Sequence, residues 1–530
     1  MINILKGLNE VISPASPAHQ DGTLSTCENM YVDIDGTWKQ SASASPSNPA
    51  RSVIADNGTA YTTSTIFSSG IAALAAPAVA LHAGTGARME SGIYYYIVTN
   101  TGSGCEGVAS GATEHYVQRN FNGEDGRVND IPSITTVSGY NVYRTKVIYV
   151  YKGATIQRVQ QNDPTEFFFV GQATGITLLD YLHDNELGRP YEGRGSIAVT
   201  SPAVIQRFDG RIFAFYSSAT GNIARYSGVG KPLEFAQNHN ILYTMKYTSG
   251  TSKWDSGTFN EALKDDATSS NTTTVEFVPI LENGVRGETK LWMPELVSKT
   301  IIDAYEFHGK LWVWSADTTG YITPSNGGYK YVHVSEDFGM VSGTLDLGDG
   351  ALYGCDIEGA WVIDGDFPRK ISEGIVSDGT IISGSWSNSL KSYTYATTVT
   401  GYSAGYFYNA RLGTITTRFM LETASPVWNS EMLFWIKGDE GQVKEDLIVT
   451  IIADGTFKAT IYQGEFPSTT FCTNSGEYSF ADAKRINVIE PNNSGRYTGI
   501  KLTAAPDAGF ILYGINIEAS GVNKYERATR

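Results

Sequence analysis

The sequence is poor in cysteine, histidine, basic residues and long apolar runs, and each shortage removes a class of protein. Cys27, Cys105, Cys355 and Cys472 are the only four cysteines in 530 residues. They lie far apart, with no CxxC or Cys/His spacing that would gather zinc or a redox pair. Free thiols of a protein made in a reducing cytosol are expected, with no metal and no cofactor. The seven histidines form no HxH or HxxxH pair. His333 and Asp337 stand four apart, but on a strand-like run where that spacing does not bring side chains together. Lys and Arg number 39 against 55 Asp and Glu, a net charge of −16. A protein that grips a phosphate backbone relies on clustered cations, so nucleic-acid binding is not expected as a main task. The longest apolar stretch, Ile71 to Leu81, is interrupted by Pro77 and is well short of the roughly 18 residues that cross a bilayer. Met1 to Asn9 carries Lys6 but no apolar core after it, so no export signal is expected.

What the chain has in quantity is aromatic and glycine residues: 31 tyrosines, 12% aromatics and 56 glycines, with only 18% charged residues. Short strands joined by tight turns use that composition, and the expected class is all-β. At roughly 100–200 residues per domain the length allows about three to five domains.

Four regions are expected. Residues 1–50 read as an extended arm with one hairpin, Met30 to Gln40, turning at Asp35-Gly36. Residues 81–190 read as a small β-sandwich, with strands at Ile93 to Val98, Tyr140 to Arg144 and Phe167 to Val170. Residues 196–430 carry a repeat. Asp209-Gly210-Arg211-Ile212-Phe213, His308-Gly309-Lys310-Leu311-Trp312 and Asp349-Gly350-Ala351-Leu352-Tyr353 each place a turn Gly before an apolar, aromatic run. A second strand pattern follows each: Ile223 to Tyr226, Tyr329 to Val332 and Ala360 to Ile363. A looser copy runs from Gly405-Tyr406-Phe407-Tyr408 to Gly413-Thr414-Ile415-Thr416. Forty-odd residues make one four-stranded propeller blade. The wider gap after Gly210 leaves room for a further unit, with two strands around Asn283-Gly284. A β-propeller is therefore expected here, with a short amphipathic helix near Phe259 to Lys264. Residues 431–530 return to long alternating strands that complete the propeller or form a terminal sandwich.

Chemistry is sparse. Ser227-Gly228-Val229-Gly230-Lys231-Pro232 looks like a phosphate loop, but Arg225 stands where the first Gly belongs and Pro232 where the hydroxyl belongs. Gly401-Tyr402-Ser403-Ala404-Gly405 matches GxSxG, yet no His follows it and both flanks are strand-like, so it reads as a hairpin turn. Carboxylates remain. Between Leu311 and Phe367 there are nine, against the single cation Lys330. A glycosidase would use two such groups, with Asp356 and Glu358 as the pair. Turns that choose Asp for its backbone-bonding side chain are the plainer account. A continuous acidic surface built on Asp356, Glu358, Asp364 and Asp366 is the other functional reading, and it would repel DNA.

Three sets of residues resemble the tail nozzle or hub proteins of short-tailed bacteriophages, a family also called phage stabilisation or tail tubular proteins. One is Lys6-Gly7-Leu8-Asn9 followed by Glu28 to Trp38, although Lys39-Gln40-Ser41 replaces the family's basic pair and Gly. The next is Gly92 to Thr99, Cys105-Glu106-Gly107, Tyr140 to Thr145 and Leu179-Asp180 to Gly188, similar to the fibronectin type III-like domain inserted in such proteins. The last is Ile223 to Phe235 with Gly359 to Gly365, similar to their propeller. The resemblance implies a non-enzymatic virion protein assembled in the host cytoplasm. It implies a homo-hexamer in the tail, with an adaptor above and fibres or spikes beside it. Viral DNA would pass through it without specific binding, and it would meet the host envelope only on infection. The alternative is a receptor-binding or glycan-degrading tail protein, in which Trp312, Trp314 and Trp361 would stack on sugar rings; core packing of those rings is the other expectation. A cellular adhesin would need an export signal.

Overall fold

The computed structural model describes most of residues 74–195, 202–245, 271–399 and 402–523, with short stretches between 24 and 63. The helix expected near Phe259 to Lys264 lies outside the described residues. The chain is all-β. Its only helical turns among the described residues are the 3-10 turns Asp184–Glu186 and Pro294–Leu296. No helix among them is long and apolar enough to cross a membrane. The chain divides into two compact units: Ser52–Leu311 with Ile322–Tyr331, and Met1–Arg51 with Trp312–Tyr321 and Val332–Arg530.

The repeat seen in the sequence is a repeat of turn chemistry. Asp209-Gly210, His308-Gly309 and Asp349-Gly350 all have positive φ at both residues, 51° and 68°, 51° and 70°, 50° and 80°. Two left-handed residues in succession make the primed turn whose twist matches paired strands, and glycine adopts the second position without a Cβ penalty. Each turn joins the first two strands of a four-stranded sheet. The sheets run Val204–Phe208, Arg211–Tyr216, Asn222–Tyr226, Lys290–Met293; then Asp303–Phe307, Lys310–Trp314, Thr319–Ser325, Gly328–Ser335; then Asp346–Gly348, Ala351–Asp356, Gly359–Ile363, Arg369–Lys370. In the middle sheet the expected second pattern, Tyr329 to Val332, belongs to the fourth strand, because Thr319–Ser325 intervenes.

Among the described residues, the gap after Gly210 holds no further four-stranded sheet. His239–Met245 and Asn271–Phe277 pair with each other, and the first of them adds in parallel to Ala112–Val117, Tyr243 opposite Ala112. Lys290–Met293 returns to its own sheet beside Asn222–Tyr226. The two strands flanking Asn283-Gly284 therefore serve different sheets.

In the first unit, Gly92–Thr99 is buried along its whole length. Alternation sends Ile93, Tyr95 and Ile97 to one face and Tyr94, Tyr96 and Val98 to the other. The second face packs with Val142, Val147 and Ile134. The first closes on Tyr143, Phe167, Tyr191, Ile241, Tyr243 and Phe277. Four of those six follow residue 190, so the sheet's core extends past the 81–190 segment.

In the second unit, Thr380–Ser387, Ser392–Val399, Tyr402–Asn409 and Thr414–Leu421 repeat the up-and-down order. They continue into a 12-stranded sheet with the strands of residues 430–523. The amino-terminal segment joins the same sheet: Met30–Val32 pairs with Trp38–Gln40, with the expected Asp35-Gly36 turn lying outside the described residues, and Leu24–Glu28 lies between Ser430–Lys437 and Thr414–Leu421. Tyr402 to Gly405 of the GxSxG string open the strand Tyr402–Asn409, paired with Ser392–Val399, with Thr398 opposite Ser403; Gly401 lies outside the described residues.

Candidate functional site

The acidic segment folds into turns. Asp356 is 5% exposed; its Oδ1 accepts from the Glu358 and Gly359 N–H groups at 2.7 and 2.9 Å, closing the turn between Ala351–Asp356 and Gly359–Ile363. Burial raises its carboxyl above the usual range, and those two N–H groups work against the rise. Asp356 is thus not part of an exposed surface. Glu358 meets Lys370 at 3.1 Å, Asp364 meets Arg369 at 2.9 Å, and Asp349 meets Lys391 at 3.4 Å. Asp366 also has a partner. Arg369, Lys370 and Lys391, beyond residue 367, pair with three of the nine carboxylates counted from Leu311 to Phe367. Asp356 and Glu358 are neighbours on one turn, not groups facing each other across a cleft.

Trp312, Trp314 and Trp361 are fully buried. Their rings stack at 6.3 and 5.7 Å, and Trp361 Nε1 donates to Gly339 O at 2.9 Å. They are core, with no face left for a sugar.

The residues of the fibronectin-like resemblance form two networks, one interior and one reaching the surface at Arg189. Arg144, 0% exposed, donates from Nε to Asp180 Oδ2 at 2.7 Å and from Nη1 to Asp184 Oδ1 at 2.6 Å. Its Nη2 reaches Leu182 O at 2.8 Å, and its guanidinium lies 4.7 Å from the Tyr94 ring centroid. Tyr96 donates to Asp180 Oδ2 at 2.9 Å. Burial opposes the Arg144 charge; Tyr96, Asp180 and Asp184 outweigh it and hold the proton more tightly. Glu106 accepts from Thr99 at 2.5 Å, from Asn141 at 2.9 Å, and from the Tyr143 hydroxyl. Arg189 closes this second network at 3.2 Å.

A pocket of about 260 Å³ opens among four turns of the same unit. Its walls come from the Asp209-Gly210 turn, the Gly228–Lys231 turn, the Asn283-Gly284 turn and the Gly327-Gly328 turn. Arg211 donates to Ser227 O and to Glu282 Oε2, both at 2.7 Å, while Glu282 Oε1 accepts from Val229 N–H at 3.1 Å. Burial pushes the Glu282 carboxyl up; Arg211 and that N–H outweigh it and leave it below the usual range. Glu234 stands between Arg194 at 3.5 Å and Lys231 at 2.9 Å. Tyr329 donates to Asp209 Oδ2 at 2.8 Å and meets the Tyr226 ring edge-on at 4.9 Å. Glu282 Oε1 and Glu234 Oε1 lie 3.2 and 3.3 Å from the point where a Gly228 Cβ would stand.

The two glutamates therefore flank one small space. Hydrolysis of a glycosidic bond requires one protonated and one ionised carboxyl. Here both are paired with cations, Glu282 with Arg211 and Glu234 with Arg194 and Lys231, so neither stands free as a general acid or nucleophile. Hydrogen bonding to a ligand is the chemistry these groups offer. Among the described residues no cluster of three or more His, Cys, Asp or Glu is placed to hold a metal ion. Sequence reasoning passed over Arg194, Arg211, Glu234 and Glu282. The available signal was the set of turns, each with a left-handed glycine, three of which had been read singly as a blade repeat, a failed phosphate loop and a hairpin.

No protein-family model matches the chain, and no curated protein matches it. Solved structures similar to parts of it include Hsv2p of Kluyveromyces lactis, 8% identical, covering 59% of this chain and 69% of that one at a TM-score of 0.20. Apo AztD of Citrobacter koseri is 9% identical, covering 76% and 99% at 0.22. A glycoside hydrolase family 43 arabinoxylan arabinofuranohydrolase of Bacillus subtilis is 8% identical, covering 73% and 95% at 0.17. Likenesses at this level carry no argument about the activity of this chain.

Proposed function

We propose that this protein is a structural component of a bacteriophage tail, a nozzle or hub of six copies through which the genome leaves. One observation carries the reading. Residues on which the fibronectin-like resemblance rests bond in two pairs, buried Arg144 with Asp180 and Tyr143 with partly buried Glu106. The four-stranded sheets are taken as propeller blades, and the low share of cations suits a conduit that must release phosphate. The test is mass measurement and projection imaging of the tail assembled with this chain. A sixfold ring with a central opening is expected; a threefold spike would overturn the reading. A second reading, a receptor-binding or glycan-degrading tail protein, is favoured by the pocket beside Gly228. The cation-paired state of its glutamates supports binding over hydrolysis.

A further inference from the structure

We propose that the pocket among the Asp209, Gly228, Asn283 and Gly327 turns binds one uncharged pyranose ring. This goes beyond the nozzle reading, since a sugar site is compatible with any place in a particle, and its test uses the isolated chain.

Three features select that ligand. The first is size: about 260 Å³ lies just under the roughly 300 Å³ at which pockets for drug-sized ligands begin, which leaves room for a single ring. The second is charge. Asp209, Glu234 and Glu282 line the pocket with Arg194 and Arg211, and both glutamates are already in ion pairs, Glu234 also with Lys231 outside the wall. An ionic ligand would enter a site with little net field and would have to break a pair to gain one. A hydroxyl, donor and acceptor at once, bonds to a carboxylate or a guanidinium without disturbing either. The third is the missing side chain at Gly228. Its absence leaves the space between Glu282 Oε1 and Glu234 Oε1 open, so one hydroxyl can approach both. Tyr226 and Tyr329 add apolar ring surface to the wall, as an amphipathic sugar face requires.

The experiment titrates the purified full chain with methyl glucoside, methyl galactoside, methyl mannoside and methyl N-acetylglucosaminide, with glucuronate and arginine methyl ester as charged probes, by calorimetry. Saturable binding of at least one neutral glycoside is expected, with the charged probes weaker. Gly228→Ala should weaken it about tenfold or more, because the new methyl stands between the two carboxylates. Gly228 does not have a positive φ, so the backbone tolerates alanine. Asn283→Ala, on an exposed turn, is the second variant and should also weaken binding should Gly228→Ala fold poorly. Absence of binding by all four glycosides overturns the proposal. So does tighter binding of glucuronate or the arginine ester, or an affinity that neither variant changes.

Discussion

Two interiors in this chain solve the same packing problem with opposite chemistry. Around Gly92–Thr99 the sheet encloses a buried cation: Arg144 lies among Asp180, Asp184 and Tyr96, with a Tyr94 ring over its guanidinium. Around Ala351–Asp356 and Gly359–Ile363 the filling is neutral aromatic surface laid on bare backbone. Tyr353 stacks on Trp386 at 4.8 Å and on Tyr393 at 5.4 Å, and Trp361 stacks on Trp314. Glycine makes that possible, since a Cβ on Gly354 would stand 2.5 Å from the Trp361 ring and one on Gly348 would stand 1.9 Å from the Trp386 ring. The charged interior depends on complete pairing, because any partner removed strands an ion out of water. The aromatic interior depends on shape, because its contacts are non-directional but leave no spare volume.

Breaking the first interior should therefore cost most. Arg144→Ala leaves Asp180 buried and Asp184 half-buried without their cation, and a loss of about 3–5 kcal/mol is expected. Denaturant unfolding followed by tyrosine fluorescence measures it; a loss below about 1 kcal/mol would mean that the network contributes little. The aromatic interior should answer more mildly to an added methyl. Gly354→Ala forces the Trp361 indole to shift, at about 1–3 kcal/mol by the general cost of overpacking. Tryptophan emission that stays unshifted, with stability intact, would show that the stack has slack.

The smallest contrast is in pH. Glu282 and Glu288, in the unit with the charged interior, sit below their ordinary 4.5. Their stabilisation is present above that value and is lost as pH falls through the depressed one. Asp356, in the other unit, sits above its ordinary 3.8, so its folded state binds the proton better and gains as pH falls through the raised value. Hydrogen exchange, corrected for its intrinsic pH dependence, should quicken around residues 281–289 on acidification and slow around residues 356–359. The change around Glu282 and Glu288 is expected to stay under about 1 kcal/mol, since solvent screens those partly exposed carboxylates. Equal responses in the two segments would contradict the assignment of opposite shifts.

Short-range chemistry was readable before any coordinates. The Asp-Gly and His-Gly pairs marked turns before aromatic strands, Gly401 to Gly405 read as a hairpin turn, and Ile93 to Val98 read as a strand. These follow from φ preferences and from the period of two, which residues carry with them. The buried fates of Trp312, Trp314 and Trp361 were also among the expectations, because they fell on the repeated strand pattern.

Long-range choices were not readable in the same way. Nothing local says that His239–Met245 should leave its neighbours in the chain and align with Ala112–Val117, or that Lys290–Met293 should return to Asn222–Tyr226. Partner choice depends on which apolar faces meet, and many strands of this chain present similar Tyr and Val faces. The same reason misled the charge count. A window ending at Phe367 omitted Arg369, Lys370 and Lys391, which the fold brings back onto Asp364, Glu358 and Asp349. Sequence alone thus determined the class, the turns and the alternation, all set within a few residues. Tertiary structure decided which strands share a sheet, which carboxylates stay exposed, and that four distant turns enclose one pocket, since each depends on contacts between segments whose separation no local preference encodes.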